Sequence, residues 1–275
     1  PGEFDPNWSN LNDVEVLAFH YWGMSRLRVA SVEPEPRVVT FTGPTCTTSW
    51  WGSLKGNHRF LIENVREAFG EPGEWYLDRG TGVLVYTPLP GENPETAEVV
   101  APRLERLVEL RGDAQAGLWV SNLHFEGLEF AHTNWVLPPQ GYSYAQAEAA
   151  IRGAIYAQAL RDSSFVRCRV ARLGTYGIDL AAGCWNNRIE DCEIFDLGAG
   201  GIRIGEGWGA RGEQSPAGKT VIRNNTVAFG GRMHPAGIGV WLGLSPENLV
   251  EHNDIFDFYY SGLSVGWTWG YGPSP

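Results

Sequence analysis

The stretch Ile189-Glu190-Asp191-Cys192-Glu193-Ile194, followed by Gly201-Ile202-Arg203-Ile204-Gly205, decides the fold, because both of its parts recur. The first part is an apolar residue, two polar or small ones, then Cys, Asn or Leu, one more residue and an apolar residue. It returns as Phe125–Phe130, Phe165–Val170, Ile222–Val227 and Val250–Ile255, the last three intervals being 24, 33 and 28 residues. The second part is Gly, apolar, variable, apolar, small. It returns as Gly177–Ala181, Gly239–Gly243 and Gly262–Gly266, always after the first. Each apolar-x-apolar triplet makes a short strand with two side chains on one face and one on the other. Short strands recurring every two to three dozen residues, with no helical pattern between them, bury their apolar residues only by stacking on their neighbours. The pattern predicts an all-β chain whose residues 105–275 form a right-handed parallel β-helix. Leu128, Cys168, Cys192, Asn225 and Asn253 then fall on one ladder at a bend, about 4.8 Å apart.

Outward from that core the pattern breaks. Residues 131–154, rich in Tyr, Gln and Ala after Pro138-Pro139, read as a loop or lid inserted between the first two coils. Residues 1–104 do not repeat at all. Val14–Phe19 and Arg37–Phe41 are β-branched or alternating runs, and Glu74–Asp78 and Gly82–Tyr86 flank a glycine-bearing turn, a hairpin. A small antiparallel β-domain is predicted there, with a turn or two of helix within Glu63–Phe69.

Composition agrees and excludes alternatives. The 275 residues include 35 glycines and 12 tryptophans, suited to a turn-dense β protein. A formal charge of −11 argues against nucleic acid and, less strongly, against polyanionic glycans; a neutral polymer is easier to hold. No run of about 20 apolar residues marks a membrane span, so no membrane partner is expected. The four cysteines (Cys46, Cys168, Cys184, Cys192) form no CxxC pair and read as small buried residues, and no metal ligand set or cofactor motif stands out.

Several motifs resemble the right-handed parallel β-helix carbohydrate enzymes, most of all glycoside hydrolase family 141. They are Glu71-Pro72-Gly73-Glu74-Trp75-Tyr76-Leu77-Asp78 with Thr81-Gly82, then Gly201–Glu206, and Ser261–Tyr271. The resemblance implies a β-sandwich-like domain inserted early in the solenoid. It also implies action on plant cell-wall glycans, xylan cleavage and fucose removal among them, and hence a secreted or periplasmic setting. No signal peptide stands in these residues. In similar chains the solenoid runs on for several coils past the Trp-rich motif, and acidic residues suspected of catalysis lie there. An uncapped last coil is an edge that invites a homodimer.

A glycosidase needs two carboxyl groups flanking the scissile bond. The outward positions of the second strand type are Asp179, Arg203, Trp241 and Ser264, with Tyr156 preceding them if Ile155 and Ala157 point inward. Asp179 and Glu206, on adjacent coils, are the candidate catalytic pair, and Arg203 between them could divide their pKa values. A plain Asp179–Arg203 surface salt bridge is the competing reading. Trp241, Trp267 and Trp269 are candidate sugar-stacking residues. Tyr156, Arg203 and His234, the last on an insertion expected to overhang the same face, are candidate substrate contacts. Three functions remain open: a hydrolase on xylan or a related hemicellulose, a polysaccharide lyase, and a non-catalytic glycan-binding module.

Overall fold

A computed structural model describes residues 3–55, 57–207 and 216–269. The chain is all-β, with both antiparallel and parallel sheets; the described residues contain two single 3-10 turns, at Leu11–Asp13 and Arg66–Ala68. It divides into two compact units. The first holds residues 1–100 and 137–145, the second 101–136 and 146–275.

In the first unit Glu15–Phe19 pairs antiparallel with Met24–Glu33 on one side and Phe60–Glu63 on the other. Met24–Glu33 also carries Val38–Phe41 and the short strand Tyr142–Ser143. Part of the stretch expected as a loop over 131–154 is therefore an edge strand of this sheet. Val14, Val16 and Val29 form its buried centre beneath Phe4, Trp8, Phe41, Phe60 and Ile62. The expected hairpin forms between Trp75–Asp78 and Val83–Tyr86.

The second unit lays its chain down in successive passes, each adding one strand to each of three parallel sheets. One sheet stacks Phe125, Phe165, Ile189, Ile222 and Val250 in register. A second stacks Phe130, Val170, Ile194, Val227 and Ile255. The third, with six strands, stacks Val108, Ile155, Ile178, Ile202, Val240 and Leu263. Apart from Val108 and Ile155, which the repeats do not include, these columns are the apolar positions of the sequence repeats, and all but Leu263 meet in one core. Burying each Ile, Leu or Phe contributes about 1.5–3 kcal/mol, so the interior of the stack holds the unit together. On the last strand of the third sheet the same positions lie open: Leu263 and Val265 are 47% and 65% exposed.

Between the first two sheets the chain bends through the expected ladder. The Cys192 amide donates to Asn225 Oδ1 at 2.9 Å, and the Asn225 amide to Asn253 Oδ1 at 2.9 Å. The Asn225 Nδ2 donates back to the Ile189 carbonyl, and the Cys168 amide points at the Cys192 sulfur. Burial pushes the Cys184 and Cys192 thiols up to about 12, which leaves them unreactive packing groups at neutral pH. Cys46 corrects the uniform reading of the cysteines: it is exposed.

Candidate active site

The outward column of the six-stranded sheet runs Glu109, Tyr156, Asp179, Arg203, Trp241, Ser264 in consecutive register. The order matches the expectation, but the solvation does not. Asp179 is 0% exposed and Arg203 2%; Trp241 and Tyr156 are buried as well. The cause is the segment 146–152, which no repeat pattern covers. Arg203 Nη1 donates to the carbonyls of Ala149 at 2.6 Å and Ile151 at 3.3 Å. The Tyr176 hydroxyl donates to the Ala147 carbonyl at 2.8 Å and accepts from the Ile238 amide at 3.1 Å. Main-chain carbonyls of a non-repeating segment thus cap an arginine that a bare sheet would expose. The expected surface salt bridge between Asp179 and Arg203 is corrected accordingly: the pair is buried, and its closest approach, Arg203 Nε to Asp179 Oδ1, is 3.9 Å.

Arg152, at the end of that segment, organises the charges. Its two terminal nitrogens grip Glu206 in a bidentate pair at 3.0 and 2.9 Å. Arg203 Nη2 adds a third donor to the same carboxylate at 3.2 Å. Bidentate guanidinium–carboxylate pairs are among the strongest polar contacts and fix orientation as well as distance. Arg152 Nη1 also approaches Asp179 Oδ2, at 3.6 Å, beyond hydrogen-bond length. The Gly153 amide donates to that oxygen at 3.3 Å. Only glycine permits this approach, since a Cβ at 153 would fall 2.7 Å from the Asp179 Cβ.

The two carboxyl groups therefore differ. Glu206 accepts three charge-assisted bonds and its side chain is 12% exposed. Asp179 is sealed, and its Oδ1 has no hydrogen-bond partner among the described residues. Burial pushes the Asp179 carboxyl above the ordinary aspartate range, with Arg203 and Arg152 pulling the other way. Burial opposes the Arg152 charge, but Asp179 and Glu206 outweigh it and hold that guanidinium above its usual range. Glu206 follows Gly205, whose φ of +84° and 2.0 Å clearance between a built Cβ and the Gly243 carbonyl exclude other residues. The Glu206 amide donates to the same Gly243 carbonyl at 3.0 Å, which anchors the carboxylate at the strand end.

Around this pair the aromatic candidates separate. The Arg203 guanidinium lies over Trp241 at 4.5 Å, and Trp241 meets Trp267 edge-on at 5.2 Å. Trp267 is buried, with its indole N–H donating to Ser264 Oγ, whereas Trp269 is exposed. Of the three indoles expected to face a ligand, the described arrangement leaves Trp269 open. His234 does not overhang the face: it is fully buried, edge-on to Trp135 at 4.3 Å. Tyr156 carries three guanidinium groups over its ring, Arg106 at 4.8 Å, Arg111 at 5.4 Å and Arg152 at 5.7 Å. Those arginines lie outside the repeats, so pattern reasoning missed them. The one available signal was position, Arg152 standing immediately before the strand that bears Tyr156. Trp208, close to Glu206 in the sequence, lies outside the described residues.

No family model matches the chain, and no curated protein matches it. A solved structure described as "Glycoside hydrolase" superposes on 96% of this chain with a TM-score of 0.79 at 22% identity. This chain spans about half of that structure's length, 52%. At that identity, what the two proteins share is a fold.

Proposed function

We propose that the second unit is a right-handed parallel β-helix, and that it carries the paired carboxylates of a secreted or periplasmic glycoside hydrolase. The substrate proposed is a neutral plant cell-wall polysaccharide, xylan or a related hemicellulose, as the motif resemblance implies and a chain of formal charge −11 favours. Three parallel sheets built by successive passes support the helix, and crossovers between parallel strands are right-handed in about 98% of cases. The shared fold with a protein described as a glycoside hydrolase supports the activity.

One observation carries the reading: Asp179 and Glu206, one in the strand Tyr176–Leu180 and one just past its neighbour Ile202–Gly205, converge on Arg152 Nη1 at 3.6 and 3.0 Å. That common nitrogen keeps the two carboxylates near enough for a paired-carboxylate mechanism, which needs about 5–5.5 Å between them for retention or 6.5–9.5 Å for inversion. Asp179, held toward its neutral form by burial, is the group suited to protonate the glycosidic oxygen. Glu206, at the more open end, is suited to attack the anomeric carbon or to activate a water for that attack. Sugar entry requires Arg152 to give up its grip on Glu206. Substituting Glu206→Gln should lower reducing-sugar release from xylan or arabinoxylan by about 100-fold or more.

A second reading is favoured by the depth of Asp179 beneath 146–152: a structural charge network in a module that holds glycan without cutting it. Binding with no sugar release from any of xylan, arabinoxylan, mixed-linkage glucan, cellulose and pectin would establish that reading and end the first.

A further inference from the structure

The first unit carries an exposed aromatic cluster that nothing above uses. The tip between Glu15–Phe19 and Met24–Glu33 is His20-Tyr21-Trp22-Gly23, closed by the His20 amide donating to the Gly23 carbonyl at 3.0 Å. Trp50-Trp51, in the loop after Val38–Phe41, lies against it. Tyr21 meets Trp50 at 4.8 Å between centroids, and Trp22 meets Trp50 at 5.9 Å and Trp51 at 5.8 Å. The two pieces are joined, the Tyr21 amide donating to the Trp51 carbonyl at 3.3 Å. The rings touch edge-on or tilted, which leaves faces open to solvent: Tyr21 is 62% exposed and Trp50 56%. Four aromatic rings gathered at one exposed place keep a large apolar area in water, which a protein retains where something covers it.

The composition of the segment that carries Trp50 and Trp51 points to the occupant. Residues 42–59 contain six hydroxyl side chains (Thr42, Thr45, Thr47, Thr48, Ser49, Ser53) and no carboxylate, in a chain with 32 acidic residues. Lys55 and Arg59 are the charges there, so a cationic ligand has no counter-charge and meets like charge. A polyphosphate meets the net charge of −11. A pyranose ring needs no counter-charge, and its C–H face suits an exposed indole or phenol. The loop is also held before any ligand arrives. Ser49 accepts from the Gly52 and Ser53 amides, the Ser49 amide donates to Thr47 Oγ1, and the Cys46 amide donates to Ser143 Oγ. Less ordering entropy is then lost on binding.

We infer that Tyr21, Trp22, Trp50 and Trp51 form a binding site for a neutral polysaccharide on the first unit, independent of the carboxylates on the second. Affinity electrophoresis of the 275-residue chain through gels containing xylan, arabinoxylan or mixed-linkage glucan tests it. At least one polymer should retard the protein, and Trp50→Ala and Tyr21→Ala should each weaken retardation about tenfold, the effect of truncating an aromatic anchor. Both side chains are more than half exposed, so the variants should melt as the wild type does. Glu206→Gln should be retarded like wild type, which separates this site from the hydrolase reading: inert protein that is still retarded leaves the inference standing. No retardation by any polymer overturns it, as does retardation unchanged in both aromatic variants. Wild-type dimers that Trp50→Ala converts to monomers in sedimentation would also overturn it, by assigning the cluster to a second copy.

Discussion

Two columns of charge run up the second unit, and they differ in one respect. On one sheet Glu190, Arg223 and Glu251 stand in consecutive register, pointing away from the core, with Arg223 paired to both acids at 3.8 and 2.5 Å. On the six-stranded sheet Asp179 and Arg203 stand in the same kind of register, with Glu206 just beyond. The backbone geometry is shared; the water is not. Arg223 is 40% exposed, whereas Arg203 is sealed by the carbonyls of Ala149 and Ile151. An exposed ladder pair is screened and contributes about 0–1 kcal/mol. Inside the cover the same charges have no water to replace a lost partner, so removing one leaves the others stranded. A parallel ladder thus supplies position, and the irregular chain laid over it decides how much water that position meets.

The largest expected effect separates the columns directly. Arg203→Ala should cost about 3–5 kcal/mol in denaturant unfolding of the second unit, because it strips the buried Ala149 and Ile151 carbonyls of their donor and leaves Asp179 and Glu206 with Arg152 as their one remaining cation in the cluster. Arg223→Ala should cost less than about 1 kcal/mol. Equal losses would remove the distinction. Next comes Gly205→Ala, which forces a methyl toward the Gly243 carbonyl at a left-handed φ and should cost about 1–3 kcal/mol. It should also displace Glu206, lowering any hydrolysis along with stability; a loss of stability without a loss of activity would detach Glu206 from the site.

Smaller in size but sharper in sign is the pH dependence of Asp179. Its pKa is raised on folding, so the folded state binds more protons than the unfolded state above the ordinary aspartate range. Its contribution is fully present below that range and is lost as pH rises through the folded value. Denaturant midpoints measured from pH about 4 to neutrality should fall for wild type relative to Asp179→Asn. A parallel pair of curves would mean that the arginines, not burial, govern this carboxyl. Least affected should be Glu251→Gln, worth under about 1 kcal/mol and shrinking further as salt rises.

What the sequence discloses follows from what repeats. Ile178, Ile202, Val240 and Leu263 align by pattern alone because each turn of chain repeats the same burial problem with the same solution. The outward column follows from the two-residue period. Asp179, Arg203 and Trp241 are therefore legible in their correct order, and Cys192 and Asn225 on their bend. Burial is not legible, because Ala149, Ile151 and Arg152 belong to a segment with no period. Its role depends on main-chain carbonyls, which any residue would supply. Met24–Glu33 escapes for a related reason. Arg26 lies within the continuously buried run Met24–Leu27, where Glu15 and Glu63 neutralise it, a long-range pairing that no local pattern carries.

The bend ladder has a directional consequence. Each amide along it, from Cys168 to Cys192 to Asn225, donates to a side chain one pass later in the chain, never earlier. The main-chain amides at a bend are therefore satisfied by the pass that follows, while the Asn225 and Asn253 side chains tie back to the pass before. Asn253→Ala should therefore speed proton exchange at the Asn225 amide more than at Cys192, and at Cys192 more than at Cys168.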